Sequence, residues 1–298
     1  MSMPQTVVQP ALPVTPVGRS PLAEAWRRLR RMPGPLTGMA VFALLAVVAI
    51  AAPMLAPYDP VKDANVMDAL TAPGHRFLLG ADHTGRDVLS RLIYGARISM
   101  TVGLAVQGVS LVIGTTLGLL AGYFGGWVDD LISGVTTVLQ AFPGLLFAIA
   151  VMSVLGPGLY NVFLALGLVG WPTISRLVRG EVLALREREF VQGARALGAR
   201  DLRIIWKHLL PNCMGPIIVV VTLGIGGAIL SEASLSFLGL GTQPPTPSWG
   251  AMLSGGRDYI WEAPWLTFYP GIAIFVTILS LNLLGDGLRD ALDPRLKQ

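Results

Sequence analysis

Six long apolar runs separated by polar stretches dominate the pattern along the chain, at about residues 36–56, 98–121, 131–155, 159–174, 214–231 and 266–284. The first carries no charged residue, and about 20 residues rising about 1.5 Å each cross the ~30 Å hydrocarbon layer of a bilayer. Runs this apolar on every face predict membrane-spanning helices, so the expected fold class is all-α: a polytopic membrane protein with six transmembrane helices. A cleaved signal peptide is the rival reading of the first run, because Ala49, Ile50 and Ala51 have a small-x-small form. A preceding flank of more than 30 residues and the length of the run both argue for a retained span.

Composition supports the same class. Of 298 residues, 53% are hydrophobic and 13% charged, too little charge to coat a soluble globule of this size. The net charge of +4 is not gathered into a field with aromatic interleaving, which argues against nucleic acid. Cys213 is the single cysteine, so neither an intrachain disulfide nor a cysteine cluster is available. His75, His83 and His208 are too scattered to form a ligand set, and no metal site is expected.

Lysine and arginine placement sets the orientation. Five lie before the first run, none between the second and third, eight from Arg176 to Lys207 and three after the last run, against five in residues 58–97 plus Arg257 on the other side. The positive-inside rule then puts both termini and the segment around residue 192 in the cytoplasm. Residues 1 to about 20 show no periodicity and read as a disordered tail. The basic run Trp26-Arg27-Arg28-Leu29-Arg30-Arg31 is suited to anionic headgroups at the membrane surface.

Within the spans, Gly114, Gly118 and Gly122 recur every four residues on one helical face, with Gly103 further up the same span. Such small residues let a second helix approach closely, and packing inside the bundle is the expected use. Pro143 and the Trp171-Pro172 pair predict bends in the third and fourth spans.

Chemistry-bearing motifs are missing from the sequence. There is no GxxxxGK[ST] phosphate loop, GxSxG elbow or HExxH helix, so catalytic residues are expected to be none and the chain is expected not to be an enzyme by itself. Glu232 falls near the outer end of the fifth span, and no carboxylate or arginine falls clearly at the midplane for an ion relay. The uncharged Gln107, Gln140 and Asn161 are candidate pathway residues, with interhelical packing as the equally available role.

The segment 192–212, QGARALGARDLRIIWKHLLPN, is the most informative. Helices are expected over 187–196 and 201–209, with Gly198 breaking the run and Pro211 ending it before the fifth span. Ala194 and Gly198 give a low-profile face, while Leu197, Leu202, Ile205 and Leu209 offer apolar contact. Seven arginines and Lys207 surround them.

Here the chain resembles a known family. Ala194, Gly198, Leu210 and Pro211 fall where ABC importer permeases place the fixed positions of their coupling motif: EAA, three residues, Gly, nine residues, Ile, one residue, Leu-Pro. Residues 78–99, LLGADHTGRDVLSRLIYGARIS, residues 231–253, SEASLSFLGLGTQPPTPSWGAML, and residues 282–296, NLLGDGLRDALDPRL, are similar to blocks of the C-type permease of dipeptide and oligopeptide ABC importers. That family also includes nickel and glutathione permeases. Two positions depart from the motif: Gln192-Gly193-Ala194 stands for Glu-Ala-Ala, and His208 for Ile. The missing acid argues against a charged contact from position 192 and leaves docking by shape.

The resemblance implies a type I ABC importer permease in the plasma (inner) membrane. Its expected layout is a cytoplasmic tail over 1–35, a first helix over 36–57, an external loop over 58–97 and a permease core over 98–298 with a coupling loop at 176–212. Expected partners are a homologous second permease, two ATP-binding cassette ATPases that carry the ATP and Mg, an extracytoplasmic peptide-binding protein and membrane lipid. No cofactor is expected on this chain. The docking set is Gln192, Gly193, Ala194, Leu197, Gly198, Ile205, His208, Leu210 and Pro211. Outside, Asp82, Gly85, Arg86 and Asp87 are either a clamp or a helix start capped by Thr84 or Asp82, and the Pro-rich segment ending at Trp249 is a candidate seat for the binding protein.

Overall fold

The computed structural model describes residues 26–292; the tail expected over the first 20 residues and the last residues of the C-terminal block lie outside the described residues. Helix α1 (Pro33–Ile50) begins with Pro33 in its first turn, where a missing N–H costs no helical bond, and a turn at Ala51 leads to the short α2 (Ala52–Leu55). Helix α3 (Val88–Phe124) follows the segment 56–87, and Asp87 caps it by accepting from the Ser90 amide at 2.7 Å. Its 37 residues extend about 55 Å, well beyond the ~30 Å a bilayer core requires. Residues 88–97 are therefore the first turns of this helix and not loop; Ser90, Arg91 and Arg97 interrupt the apolar run there and mask its start in the sequence.

The third apolar run is two helices, α4 (Gly126–Ala141) and α5 (Gly144–Leu155), bent by 91°. Phe142 precedes a proline and is held extended (φ −92°, ψ 138°), and Pro143 becomes the cap of α5. Among the described residues five other helices are each long and apolar enough to cross a membrane, so six crossings require this bent pair to act as one.

Helix α6 (Leu159–Leu185) runs unbroken through Pro172, where the sequence predicted a bend. It packs closely on α3: a Cβ on Gly114 would stand 2.7 Å from the Trp171 carbonyl oxygen, and one on Gly118 would stand 2.6 Å from that of Ser175. Gly122 meets Val182 and Arg179 in the same way. The glycine stripe thus joins two helices of one bundle.

After α6 come α7 (Glu189–Ala196), α8 (Asp201–Ile204), a π-helical turn (Ile205–Leu209) and α9 (Leu210–Phe237). The bundle closes with α10 (Trp249–Gly256) and α11 (Trp265–Leu292). Pro211 does not end a helix: it sits in the first turn of α9, and the chain is nearly continuous from Asp201 to Phe237. The wider π turn accommodates it, with the Leu210 amide reaching back to the Ile205 carbonyl while Pro211 has no amide to place.

Candidate functional site

The segment between α6 and α9 is built around one glycine. Helix α7 ends in a Schellman arrangement, with the Gly198 amide on the Arg195 carbonyl and the Ala199 amide on the Ala194 carbonyl, both 3.0 Å. Gly198 takes φ +78° with no atom within 4 Å of a prospective Cβ, so backbone conformation and not crowding selects glycine here.

Two side-chain stripes leave this segment in opposite directions. Val191, Ile204, Ile205 and Leu209 are buried against Leu119, Tyr123, Val178 and Val182 of α3 and α6. Leu197 is 90% exposed, Leu202 66% and Trp206 57%, and Phe190 is exposed beside them. Ile205 and Leu209, expected as outward contacts, therefore belong to the core, with Ile205 only 3% exposed. Both the Leu202/Trp206 pair and the Ile205/Leu209 pair have four-residue spacing, so periodicity alone could not separate the faces. Trp206 is the exposed apolar residue that sequence reasoning missed.

The remaining positions of the set are spread over the same surface. Gln192 is exposed and donates through Nε2 to the Glu187 carbonyl at 3.3 Å. Gly193 has open space around it, and Ala194, His208 and Leu210 are half-buried. Pro211 is exposed at the foot of α9.

The segment is tied to the bundle by polar links. Tyr123 donates its hydroxyl to Asp201 Oδ1 at 2.6 Å, and the Arg195 guanidinium lies 5.6 Å over the Tyr123 ring. Arg186 donates to the Gly122 carbonyl at 3.1 Å. Asp129, at the start of α4, accepts both arms of Arg179 on α6.

At the other end of the bundle, the residues read as either a clamp or a helix start form a structural knot. Asp82 Oδ1 accepts from the Thr84 amide (2.8 Å), the Thr84 hydroxyl (2.7 Å) and the Arg86 amide (3.0 Å). Its Oδ2 pairs with Arg86 at 3.2 Å and Arg91 at 3.4 Å. Burial pushes the Asp82 carboxyl up, yet the Thr84 hydroxyl, the Arg86 amide and the Arg91 charge outweigh it and hold the group below its ordinary 3.8. The helix cap is Asp87, a few residues beyond Thr84 and Asp82, the caps the sequence suggested. Gly85, at φ +77°, has no room for a Cβ against the Asn65 backbone. Trp249 is buried on Gly95 and donates to the Leu92 carbonyl at 3.0 Å.

Among the pathway candidates, Asn161 donates to the carbonyls of Leu155 and Gly156 at 2.8 and 3.0 Å and so caps the α5–α6 turn. Gln107 is buried with its amide against Gly224 of α9, and Gln140 is exposed just before the α4–α5 break. Among the described residues no group of three or more His, Cys, Asp or Glu side chains is placed to hold a metal.

Long lipid-compatible helices, a bent pair, and a short two-helix segment carrying an apolar face at one end define a multi-pass membrane permease subunit. The chain belongs to the family of binding-protein-dependent transport system inner membrane components, whose model matches residues 114–298; residues 20–73 match the N-terminal transmembrane domain of oligopeptide transport permease C. It is a permease subunit of the ABC importer class.

Its relatives include the dipeptide transport system permease protein DppC of Alkalihalophilus pseudofirmus, 45% identical over 93% of this chain and 91% of that one. The di/tripeptide permease DppC of Pseudomonas aeruginosa is 46% identical, covering 93% of each chain. The glutathione transport system permease protein GsiD of Escherichia coli is 48% identical over 94% of this chain and 92% of that one. A solved inward-facing structure of the MetNI methionine ABC transporter shares the fold, with a TM-score of 0.55 at 18% identity over 68% of this chain and 96% of that chain.

Proposed function

We propose that this permease carries dipeptides or short oligopeptides into the cell as one of two homologous permeases lining a shared pathway. A binding protein outside delivers the peptide, and two ATPase subunits inside, holding the ATP and Mg, drive the cycle. Both termini and the α7–α8 segment lie in the cytoplasm, and this chain contributes no catalytic group or cofactor.

The observation that carries this reading is the apolar face of Leu197, Leu202 and Trp206. It stands at the end where lysine and arginine concentrate, and its scaffold is locked to α3 and α6 by Val191, Ile204 and Tyr123. A helix pair with one side in the bundle and the other uncovered suits a lever: a partner that moves it moves the bundle. The docking surface is Gln192, Gly193, Ala194, Leu197, Leu202 and Trp206, with Gly198 shaping it and Ile205 withdrawn into the core.

Glutathione is the second reading for the solute, because a relative named for glutathione transport is as similar as those named for dipeptides. Reconstitution with candidate partners and uptake of labelled Ala-Ala against labelled glutathione separates the two. ATP-dependent uptake of neither would defeat the peptide reading.

A further inference from the structure

Just before α1 the chain makes one basic turn, Trp26-Arg27-Arg28-Leu29-Arg30-Arg31. The Arg30 amide closes it on the Trp26 carbonyl at 3.1 Å, and the Arg31 amide on that of Arg28 at 2.9 Å. We propose that this turn, seated on the end of α11, is a binding site for the phosphate of an anionic phospholipid.

Leu29 anchors the turn. It is 3% exposed and packs with Ala291, Leu284, Leu288 and Leu292 of α11. Two glycines let α1 follow closely on the same helix. A Cβ on Gly287 would run into Pro35 and meet Leu29 at 3.3 Å, and one on Gly38 would stand 2.5 Å from the Ser280 carbonyl oxygen. With Leu29 committed to α11, Trp26, Arg27, Arg30 and Arg31 remain exposed. The Arg30 guanidinium lies 4.7 Å over the Trp26 ring, so charge and indole share one patch.

Positive charge stays in excess after the neighbouring acids are counted. Residues 25–58 hold four arginines and no carboxylate. The acids adjoining the turn are Glu24 in sequence, and Asp286 and Asp290 beside Gly287 and Ala291 on α11, where Arg289 also lies; basic groups outnumber acidic ones five to three. Among the described residues Arg27, Arg30 and Arg31 form no ion pair.

Position makes the partner a lipid. Helix α1 has 18 residues without a charge, and only Gly38 and Ala49 among them are buried, so most of its surface is open to hydrocarbon. Residues directly before such a span stand at headgroup level on whichever face it begins, where arginine meets phosphate and the indole meets the acyl boundary. A guanidinium grips a phosphate through two N–H groups at once. Phosphatidylcholine carries its own ammonium to offset that phosphate, whereas phosphatidylglycerol leaves it to the arginines.

The test uses the full chain purified with the subunits that accompany it, titrated in detergent with phosphatidylglycerol or phosphatidylcholine and read by native mass spectrometry. Wild type is expected to bind phosphatidylglycerol in preference. Each of Arg27→Gln, Arg30→Gln and Arg31→Gln should weaken that binding about fivefold, and the triple variant should lose the preference. Arg257→Gln, a cation elsewhere on the chain, should leave it unchanged. Binding within about twofold of wild type in the triple variant overturns the proposal; where that variant fails to assemble, the same result in all three single variants does so. Equal loss in Arg257→Gln also overturns it, since the preference would then belong to overall charge. So does displacement of the lipid by inorganic phosphate at constant ionic strength, which would make the turn a site for free phosphate.

Discussion

The Tyr123 hydroxyl, at the C-terminal end of α3, donates to the Asp201 carboxylate at 2.6 Å, where the segment between α6 and α9 resumes its helix. The bond joins the outward-facing apolar stripe to the longest helix of the bundle. Tyr123 is otherwise buried among Leu119, Val182, Val191 and Ile204, so its ring packs whether or not the bond is made. Tyr123→Phe is therefore expected to fold and insert normally. Hydrogen bonds to charged groups contribute about 1.5–3 kcal/mol, enough to loosen the lever. In proteoliposomes the variant should hydrolyse ATP with fewer peptides taken up per ATP; an unchanged ratio would show that this link transmits nothing.

Gly198 and Gly193 separate two uses of a small residue within one helix. Gly198 needs φ +78° and has open space around it, whereas Gly193 lies in mid-helix and also has open space. Gly198→Val must unwind the Schellman turn at a cost of about 1–2 kcal/mol or more, so it should uncouple hydrolysis from uptake. Gly193→Ala should stabilise α7 by up to about 1 kcal/mol, and it alters transport only if the ATPase groove requires a flat surface there. Normal, substrate-stimulated uptake by Gly198→Val would refute the docking role of this turn.

Most of the helical content was legible because a bilayer demands long apolar runs whose length can be counted. Less legible was the direction of individual side chains. Ile205 and Trp206 are adjacent and both apolar, yet one is core and the other exposed, and only the π turn before Pro211 decides which is which. The start of α3 was hidden for a related reason: Ser90, Arg91 and Arg97 look like loop until Asp82 and the Pro60 and Pro245 carbonyls are seen to engage the arginine at position 91. The break at Pro143 was visible as a bend, while its 91° size depends on packing.

The Asp82 knot predicts a pH signature. A carboxyl held below 3.8 when folded binds its proton more readily in the unfolded chain, so it stabilises the fold at every pH above that value. The contribution falls away as pH drops through the lower, folded value. Asp82→Asn should therefore melt below wild type at pH 5–7, with the gap closing in acid below about pH 3.8. A gap that persists unchanged at pH 3 would mean that shape, and not charge, is what Asp82 supplies.

The Asp129–Arg179 pair ties the start of α4 to α6 through both guanidinium arms, and both residues are partly shielded from water. Arg179→Lys keeps the charge and loses the fork, so it tests geometry against charge. The expected result is a measurable loss of thermal stability for Arg179→Lys and a somewhat larger one for Asp129→Asn, about 1 kcal/mol apart at most. Equal stability of all three proteins would assign the pair to the surface and release α4 from α6.

Glu232 supplies the strictest test of how this end of the bundle is held. Its side chain is fully buried, with 0% exposure, in the last turns of α9. Ser236 donates to its Oε1 at 2.7 Å, Thr242 to the same oxygen at 3.4 Å, and Ser99 of α3 to Oε2 at 3.3 Å. Ser248, which caps α10, stands 3.4 Å from the Ser236 hydroxyl. One carboxyl group therefore gathers hydroxyls from two long helices and from the 238–248 segment between α9 and α10. Glu232→Gln keeps an acceptor oxygen and nearly the same volume, and it should fold and transport with modest loss. Glu232→Ala removes both oxygens, leaves several buried hydroxyls unpaired and opens a void, for a penalty of about 3 kcal/mol or more. Thermal unfolding of the purified chain and proteolysis within residues 240–248 provide the readout: the alanine variant should be cut there sooner than wild type or the glutamine variant. Identical cutting of all three would show that the segment is held from elsewhere, with Arg91 as the remaining strap.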